Sequence, residues 1–142
     1  MHRWLYWTDW GEVAKIERIS MDGSNSSRQT LLSTDLVWPN GLTLDYSTQT
    51  LYWADASLNK IESSQVDGSN RILLTTYSIL HPFALTYYNR HLYWSDWESD
   101  QISTTKVSSP DNTSILVSSL HTEPMGLEVV ATSRQPLCEC SL

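Results

Sequence analysis

Three carboxylates, Asp9, Asp55 and Asp96, close three copies of one four-residue signature. The copies are Tyr6-Trp7-Thr8-Asp9, Tyr52-Trp53-Ala54-Asp55 and Tyr93-Trp94-Ser95-Asp96. An acid that recurs in this way could serve acid–base catalysis or calcium binding. Repetition once per unit points instead to a scaffold, in which each carboxylate accepts backbone N–H bonds and ties neighbouring units together, because a buried acid must have its hydrogen bonds met. The paired aromatics, Tyr6, Trp7, Tyr52, Trp53, Tyr93 and Trp94, read in the same way as packing between units. Other reactive patterns are wanting. His2, His81, His91 and His121 lack metal-ligand spacing, and no Gly-rich phosphate loop follows a strand. No Ser lies in a nucleophile elbow. The sequence predicts no catalytic residue, no metal and no cofactor.

The elements that must carry these residues follow from their spacing. The signatures start 46 and then 41 residues apart, about the length of a four-stranded propeller blade. Units of that length cannot bury a core alone and must stack on their neighbours. A Pro-containing turn leads into an apolar strand three times: Trp38-Pro39-Asn40-Gly41-Leu42, His81-Pro82-Phe83-Ala84-Leu85 and Glu123-Pro124-Met125-Gly126-Leu127. Pro has no ladder donor and so marks a strand start. The aromatic strand comes second. A third strand holds Lys15-Ile16-Glu17, Lys60-Ile61-Glu62 and Gln101-Ile102-Ser103. Asp22-Gly23 and Asp67-Gly68 then predict hairpin turns, and fourth strands are expected at 29–32, 72–75 and 114–117. The third repeat departs from the pattern, since Asn112 follows Asp111 where Gly is expected. No segment has a helical period. The expectation is an all-β chain of four-stranded antiparallel blades, starting in a second strand at 4–7 and ending with a lone first strand at 126–131.

Composition narrows the function classes. The 142 residues carry a formal charge of −7 with no Lys/Arg cluster, so the footprint of a nucleic-acid or acidic-membrane binder is absent. No apolar run approaches the ~20 residues that span a bilayer. Met1 to Trp10 has no apolar signal-peptide core, which places any secretion signal, or any membrane association, in a longer parent chain. Cys138 and Cys140 are poorly spaced for a mutual disulfide, and two thiols cannot complete a structural zinc site. They read either as free thiols on a tail or as the opening of a disulfide-rich module. Two sequons, Asn25-Ser26-Ser27 and Asn112-Thr113-Ser114, are both expected in hairpins between third and fourth strands, which suits glycosylation at an outer edge.

The aromatics outside the repeat are the candidates for recognition. Trp10 and Trp97 follow the motif Asp, where the second copy has Ala56. Trp38, Phe83 and Met125 are expected at equivalent strand starts. In a propeller the start of strand one and the end of strand two open on the same face. Trp10, Trp38, Asn40, His81, Phe83, Trp97 and Met125 are therefore expected to gather around one mouth. Trp is enriched at binding hot spots, and the Asn40 amide can hydrogen-bond a partner.

The Tyr-Trp-Thr-Asp repeats, Asp-Gly hairpins and Pro-Asn-Gly-Leu strand starts resemble the class B (YWTD) repeats of the low-density lipoprotein receptor family. The resemblance covers residues 3 to 138. It implies a partial six-bladed YWTD β-propeller, about half a ring, over residues 1–132, with 133–142 as an exit segment leading toward the start of a truncated EGF-like module. Tyr6-Trp7-Thr8-Asp9-Trp10-Gly11-Glu12, Lys15-Ile16-Glu17-Arg18 and His81-Pro82-Phe83-Ala84-Leu85 resemble most the receptor-related proteins of the Wnt co-receptor type, and Arg134-Gln135-Pro136 resembles the exit from such a propeller. That implies an extracellular segment of a cell-surface receptor, with secreted protein ligands or antagonists bound on one face, where Trp38 and Asn40 match the pocket motif most closely. Two alternatives remain: a nidogen-like basement-membrane structural propeller, or a truncated product without activity. The missing blades would come from the parent chain or from a second copy.

Overall fold

A computed structural model describes residues 3–131, and in it eleven strands form three antiparallel sheets. The first sheet holds β1 (Trp4–Asp9), β2 (Lys15–Ser20) and β3 (Gln29–Leu32). The second holds β4 (Pro39–Asp45), β5 (Thr50–Asp55), β6 (Lys60–Gln65) and β7 (Ile72–Thr75). The third holds β8 (Pro82–Tyr88), β9 (His91–Asp96), β10 (Gln101–Lys106) and β11 (Ser109–Val117). Within each sheet consecutive strands pair in sequence order. This is a partial β-propeller of up-and-down blades, with β1 as an edge strand where β5 and β9 are central.

The period-2 pattern of the strands explains the stacking. Leu51 and Trp53 point one way from β5 and pack with Ile16, against Leu31 and Leu32 of the first sheet and Leu36 of the connector after it. Tyr52 and Ala54 point the other way and join Leu85, Leu92 and Trp94 of the third. One strand thus feeds two cores, as residue alternation requires. The sheets approach closest at Gly41, where an added Cβ would lie 2.5 Å from the Leu85 nitrogen. Polar bonds also cross the joints. Tyr6 Oη and Arg18 donate to the Val66 carbonyl at 3.3 and 2.8 Å, and Thr8 Oγ1 donates to the Asn40 carbonyl at 3.1 Å. Between the second and third sheets Tyr52 stacks on Tyr87 (centroids 5.5 Å, interplanar angle 6°). Burial raises the Tyr87 hydroxyl to about 12, helped by its hydrogen bond to Asp45.

Turn chemistry accounts for the hairpins. Gly68 sits at φ 87°, a left-handed value that side chains disfavour, and its N–H donates to Gln65. Asp67 Oδ1 accepts the Ser69 N–H at 2.9 Å and locks the same turn. The third repeat behaves differently. Lacking Asp-Gly, it turns at once after Lys106, which pairs with Ser109. Its fourth strand therefore runs 109–117 rather than 114–117, with two register shifts that absorb the extra residues. Asn112 consequently stands within β11, not in a hairpin, which corrects the expected placement of the second sequon.

The first strand expected at 126–131 does not form a ladder here. A first strand needs a second beside it; β5 and β9 already have theirs, and β1, the edge strand of its sheet, is not paired with residues 126–131. Residues 133–142, with Cys138 and Cys140, lie outside the described residues, as does His2.

Candidate functional site

Each motif Asp ends a second strand, and Asp55 and Asp96 face the connectors that lead into their own sheets. Asp55 is fully buried and accepts the N–H groups of Val37 (2.8 Å), Trp38 (3.2 Å), Ser57 (3.1 Å) and Leu58 (3.0 Å). Asp96, also fully buried, accepts those of Leu80 (2.9 Å), His81 (3.0 Å) and Ser99 (3.1 Å). Backbone donors occupy these carboxylates, so they pin the connectors rather than face a substrate. Asp9 accepts the Gly11 N–H at 2.9 Å and lies 3.8 Å from Lys15. Among the described residues no group of three or more His, Cys, Asp or Glu could hold a metal ion.

Pinning the connectors fixes the side chains beyond them. Trp38 and His81 are the last residues of the pinned segments. Ala56 and Trp97 then close the same corner, their N–H groups donating to the Trp38 and His81 carbonyls at 2.9 and 3.1 Å. Pairing of Pro39 with Asp55 and of Pro82 with Asp96 sets the register. By that register Trp38 is the counterpart of His81, while Asn40, Phe83 and Met125 share the next place. The expected equivalence of Trp38 with Phe83 and Met125 is corrected accordingly.

All seven candidates, Trp10, Trp38, Asn40, His81, Phe83, Trp97 and Met125, line one cleft of about 940 Å³. Its floor is the line of closest approach between sheets, at Gly41, Leu42, Ala84 and Leu85. Phe83 stacks on Trp97 at 4.4 Å between centroids, and His81 stacks on the same indole at 5.4 Å, both at 14°. Trp38 tilts against His81 at 6.1 Å. Trp97 Nε1 donates to the Pro124 carbonyl at 3.1 Å, which holds Met125 at the rim. Trp10 remains 61% exposed and Trp38 46%, so the aromatic rail has open ring faces. The Asn40 side-chain amide has no hydrogen-bond partner among the described residues. The site combines flat apolar surface with one directed polar group, the usual makeup of a recognition cleft.

Sequence reasoning passed over Thr8, Leu127 and Glu128, which also line the cleft. Thr8 was legible as the variable third position of the signature. Glu128 follows from alternation in the segment after Pro124. Asn25, at the start of a 3-10 turn after β2, and Asn112 on β11 are exposed and do not line the cleft.

Comparison with known proteins agrees with this geometry. The family described as "Low-density lipoprotein receptor repeat class B" matches residues 3–46 and 49–88, more than half of the chain. The vitellogenin receptor Yl of Drosophila melanogaster is 40% identical over 84 residues, 59% of this chain and 4% of that protein. The human low-density lipoprotein receptor-related protein 5-like protein is 41% identical over 81 residues, 57% of this chain and 31% of that one. Among solved structures, a chain of the nidogen/laminin complex superposes with a TM-score of 0.69 at 33% identity, covering 80% of this chain and 41% of that chain. The chain thus spans less than a third of these receptor-type relatives. On its matched repeats and its blade architecture, this chain belongs to the low-density lipoprotein receptor class B repeat family.

Proposed function

We propose that the chain is an extracellular protein-recognition segment of a lipoprotein-receptor-related receptor, binding secreted protein ligands through the aromatic cleft and not acting as an enzyme. The observation that carries this reading is the convergence of the seven non-repeated residues on one cleft while the motif acids are consumed by backbone donors. Flat rings with open faces beside an unpartnered amide suit an extended peptide segment of a folded ligand. The Wnt co-receptor subtype is the narrower form of the reading, supported by the runs around Trp10 and Trp38 and by similarity to the human receptor-related protein 5-like protein. A second reading, a matrix propeller that grips laminin, is favoured by the likeness to the nidogen/laminin complex.

Binding of purified Wnt-pathway ligands, secreted antagonists and laminin to the immobilised chain separates these readings. Trp38→Ala is expected to weaken the true ligand by about 30-fold, the hot-spot threshold of ~2 kcal/mol. Asn40→Ala is expected to cost roughly 0.5–1.5 kcal/mol. Asn25→Gln and Asn112→Gln should remove glycans from secreted material, because both side chains are exposed, yet leave affinity in place. Equal losses at Trp38 and Asn25 would mean global misfolding, and unchanged affinity at Trp38 and Asn40 would move the site elsewhere.

A further inference from the structure

Two sheets build the aromatic cleft, and their contributions meet at Trp38 and His81, whose ring centroids lie 6.1 Å apart. His81, Phe83 and Trp97 all belong to the corner of the third sheet, so their stacking follows from one blade's own register. Trp38 belongs to the corner of the second. The Trp38–His81 contact therefore crosses a joint, and neither blade's register fixes it.

One side chain spans that joint behind the cleft. Asn59 ends the turn between β5 and β6 at φ 51°, a left-handed value that asparagine tolerates better than most residues. Its amide nitrogen donates to the Ala56 carbonyl of its own sheet at 2.8 Å, and to the Leu80 carbonyl in the connector to the third sheet at 2.5 Å. The NH2 group has two hydrogens, one for each carbonyl.

Both carbonyls lead to cleft residues. The Leu80 carbonyl shares a peptide group with the His81 N–H, which donates to Asp96 at 3.0 Å. A planar peptide held at both ends cannot turn about the chain, and its plane sets where the His81 side chain departs. On the other side, the Ala56 N–H donates to the Trp38 carbonyl at 2.9 Å. Asp96 thus fixes His81 against its own sheet, and Asn59 fixes it against the sheet of Trp38.

The corresponding turns of the other two sheets lack this group. Register aligns Asp9 with Lys15, Asp55 with Lys60 and Asp96 with Gln101, which puts Ala14 and Asp100 where Asn59 stands. Ala14 offers a methyl group. Asp100 keeps the left-handed backbone, at φ 50°, without an NH2 group. The turn itself does not require the amide, so the amide serves something other than the turn.

We infer that Asn59 is a positioning residue of the cleft, whose amide holds Trp38 and His81 at a fixed separation across the joint so that a ligand meets them as one surface. Its part in recognition rests on the function proposed above, whereas its geometric part can be measured without a ligand. Asn59 is exposed, so its removal empties no core and its effect on the cleft is separable from an effect on stability.

Nuclear magnetic resonance of the isotope-labelled 142-residue chain tests this, with Asn59→Gly as the first variant. Glycine accepts the left-handed φ and removes the amide. Overhauser contacts between the Trp38 and His81 rings are expected to disappear, while those between Phe83 and Trp97 persist. The His81 amide is expected to exchange about tenfold faster, the equivalent of one hydrogen bond, with the β5–β6 ladder amides unchanged. Asn59→Asp keeps the turn, as Asp100 does, and should repeat the result because it has no NH2 group. Persistence of the Trp38–His81 contact in both variants overturns the inference. Loss of the Phe83–Trp97 contact along with it does the same, since Asn59 would then be a general stabiliser. Should both variants fail to fold, the unmodified chain decides. Overhauser contacts from the Asn59 amide protons to Leu80 and Ala56 support the bridge, and an amide that exchanges as a free side chain refutes it. A failed search for ligands leaves these outcomes untouched, and a failed bridge leaves the recognition reading untouched.

Discussion

Trp7 and Trp53 hold the same place in two sheets, as do Asp9 and Asp55. Trp53 is fully buried, while Trp7 remains partly exposed beneath the Arg28 guanidinium, 5.4 Å from its ring. Asp55 accepts four backbone N–H groups and Asp9 accepts one. Local sequence is nearly the same in both sheets, so it cannot be the cause. Among the described residues the second sheet has a sheet on either side of it, and the first has one only. In a stacked array a residue's energetic weight is set by its neighbour's presence, which is the nearest-neighbour behaviour expected of repeats.

The largest expected contrast is in the indoles. Trp53→Ala should cost ~3–5 kcal/mol, the range for emptying a core of an aromatic, because it removes the body that joins Ile16 and Leu51. Trp7→Ala should cost about 1–2 kcal/mol, since part of its surface is not taken from water here. Urea melts of the two variants provide the comparison. Equal costs would break the comparison.

The carboxylates come next. Asp55→Ala strips acceptors from the connector N–H groups of Val37 and Trp38 in a water-poor corner, at ~1–3 kcal/mol for each group left unsatisfied. It should also loosen Trp38 in the cleft. Asp9→Ala removes one exposed backbone bond and a long contact to Lys15, so its cost should stay below about 1 kcal/mol in the single chain. Chemical denaturation measures both, and hydrogen exchange of the Val37 and Trp38 amides follows the connector. Comparable losses from the two would mean that Asp9 already has a neighbour.

Much of this contrast was legible in the residues, and the reasons for the rest are physical. Strands β3 and β7 fall where the Asp-Gly turns place them, because a glycine with positive φ fixes a hairpin locally. The third hairpin was misplaced because Lys106-Val107-Ser108-Ser109 turns without glycine, and nothing local announces it. The strand expected at 126–131 failed for a different reason: its pairing partner is non-local, and alternation cannot supply one. The cleft was readable because its residues occupy strand ends, whose positions follow once the order of strands is known. The aromatic stacking geometry was not, since ring angles depend on the rotamers chosen when His81, Phe83 and Trp97 pack together.

The smallest predicted effect separates the two joints by acid. Burial alone would raise the Asp45 carboxyl, but hydrogen bonds from Ser47, Thr48 and Tyr87 outweigh it and hold the group at about 2, against an ordinary 3.8. Because the folded value is the lower one, folding is favoured wherever the carboxylate is ionised. The contribution is complete above about pH 4 and is lost as pH falls toward 2, with a ceiling of about 2 kcal/mol from the shift. Asp45 and Tyr87 bridge the second and third sheets, whereas the hydrogen bonds that β1 and β2 send across the first joint, from Tyr6, Thr8 and Arg18 to backbone carbonyls, involve no carboxyl group. Acid should therefore loosen the Asp45–Tyr87 bridge while those bonds stay in place. Asp45→Asn should be less stable than the unmodified chain at pH 5 and indistinguishable from it near pH 2, measured by urea titration at each pH. Hydrogen exchange should show the Tyr87 strand opening ahead of β1. A stability difference that persists unchanged at pH 2 would mean that Asp45 acts through packing alone, leaving the two joints alike in acid.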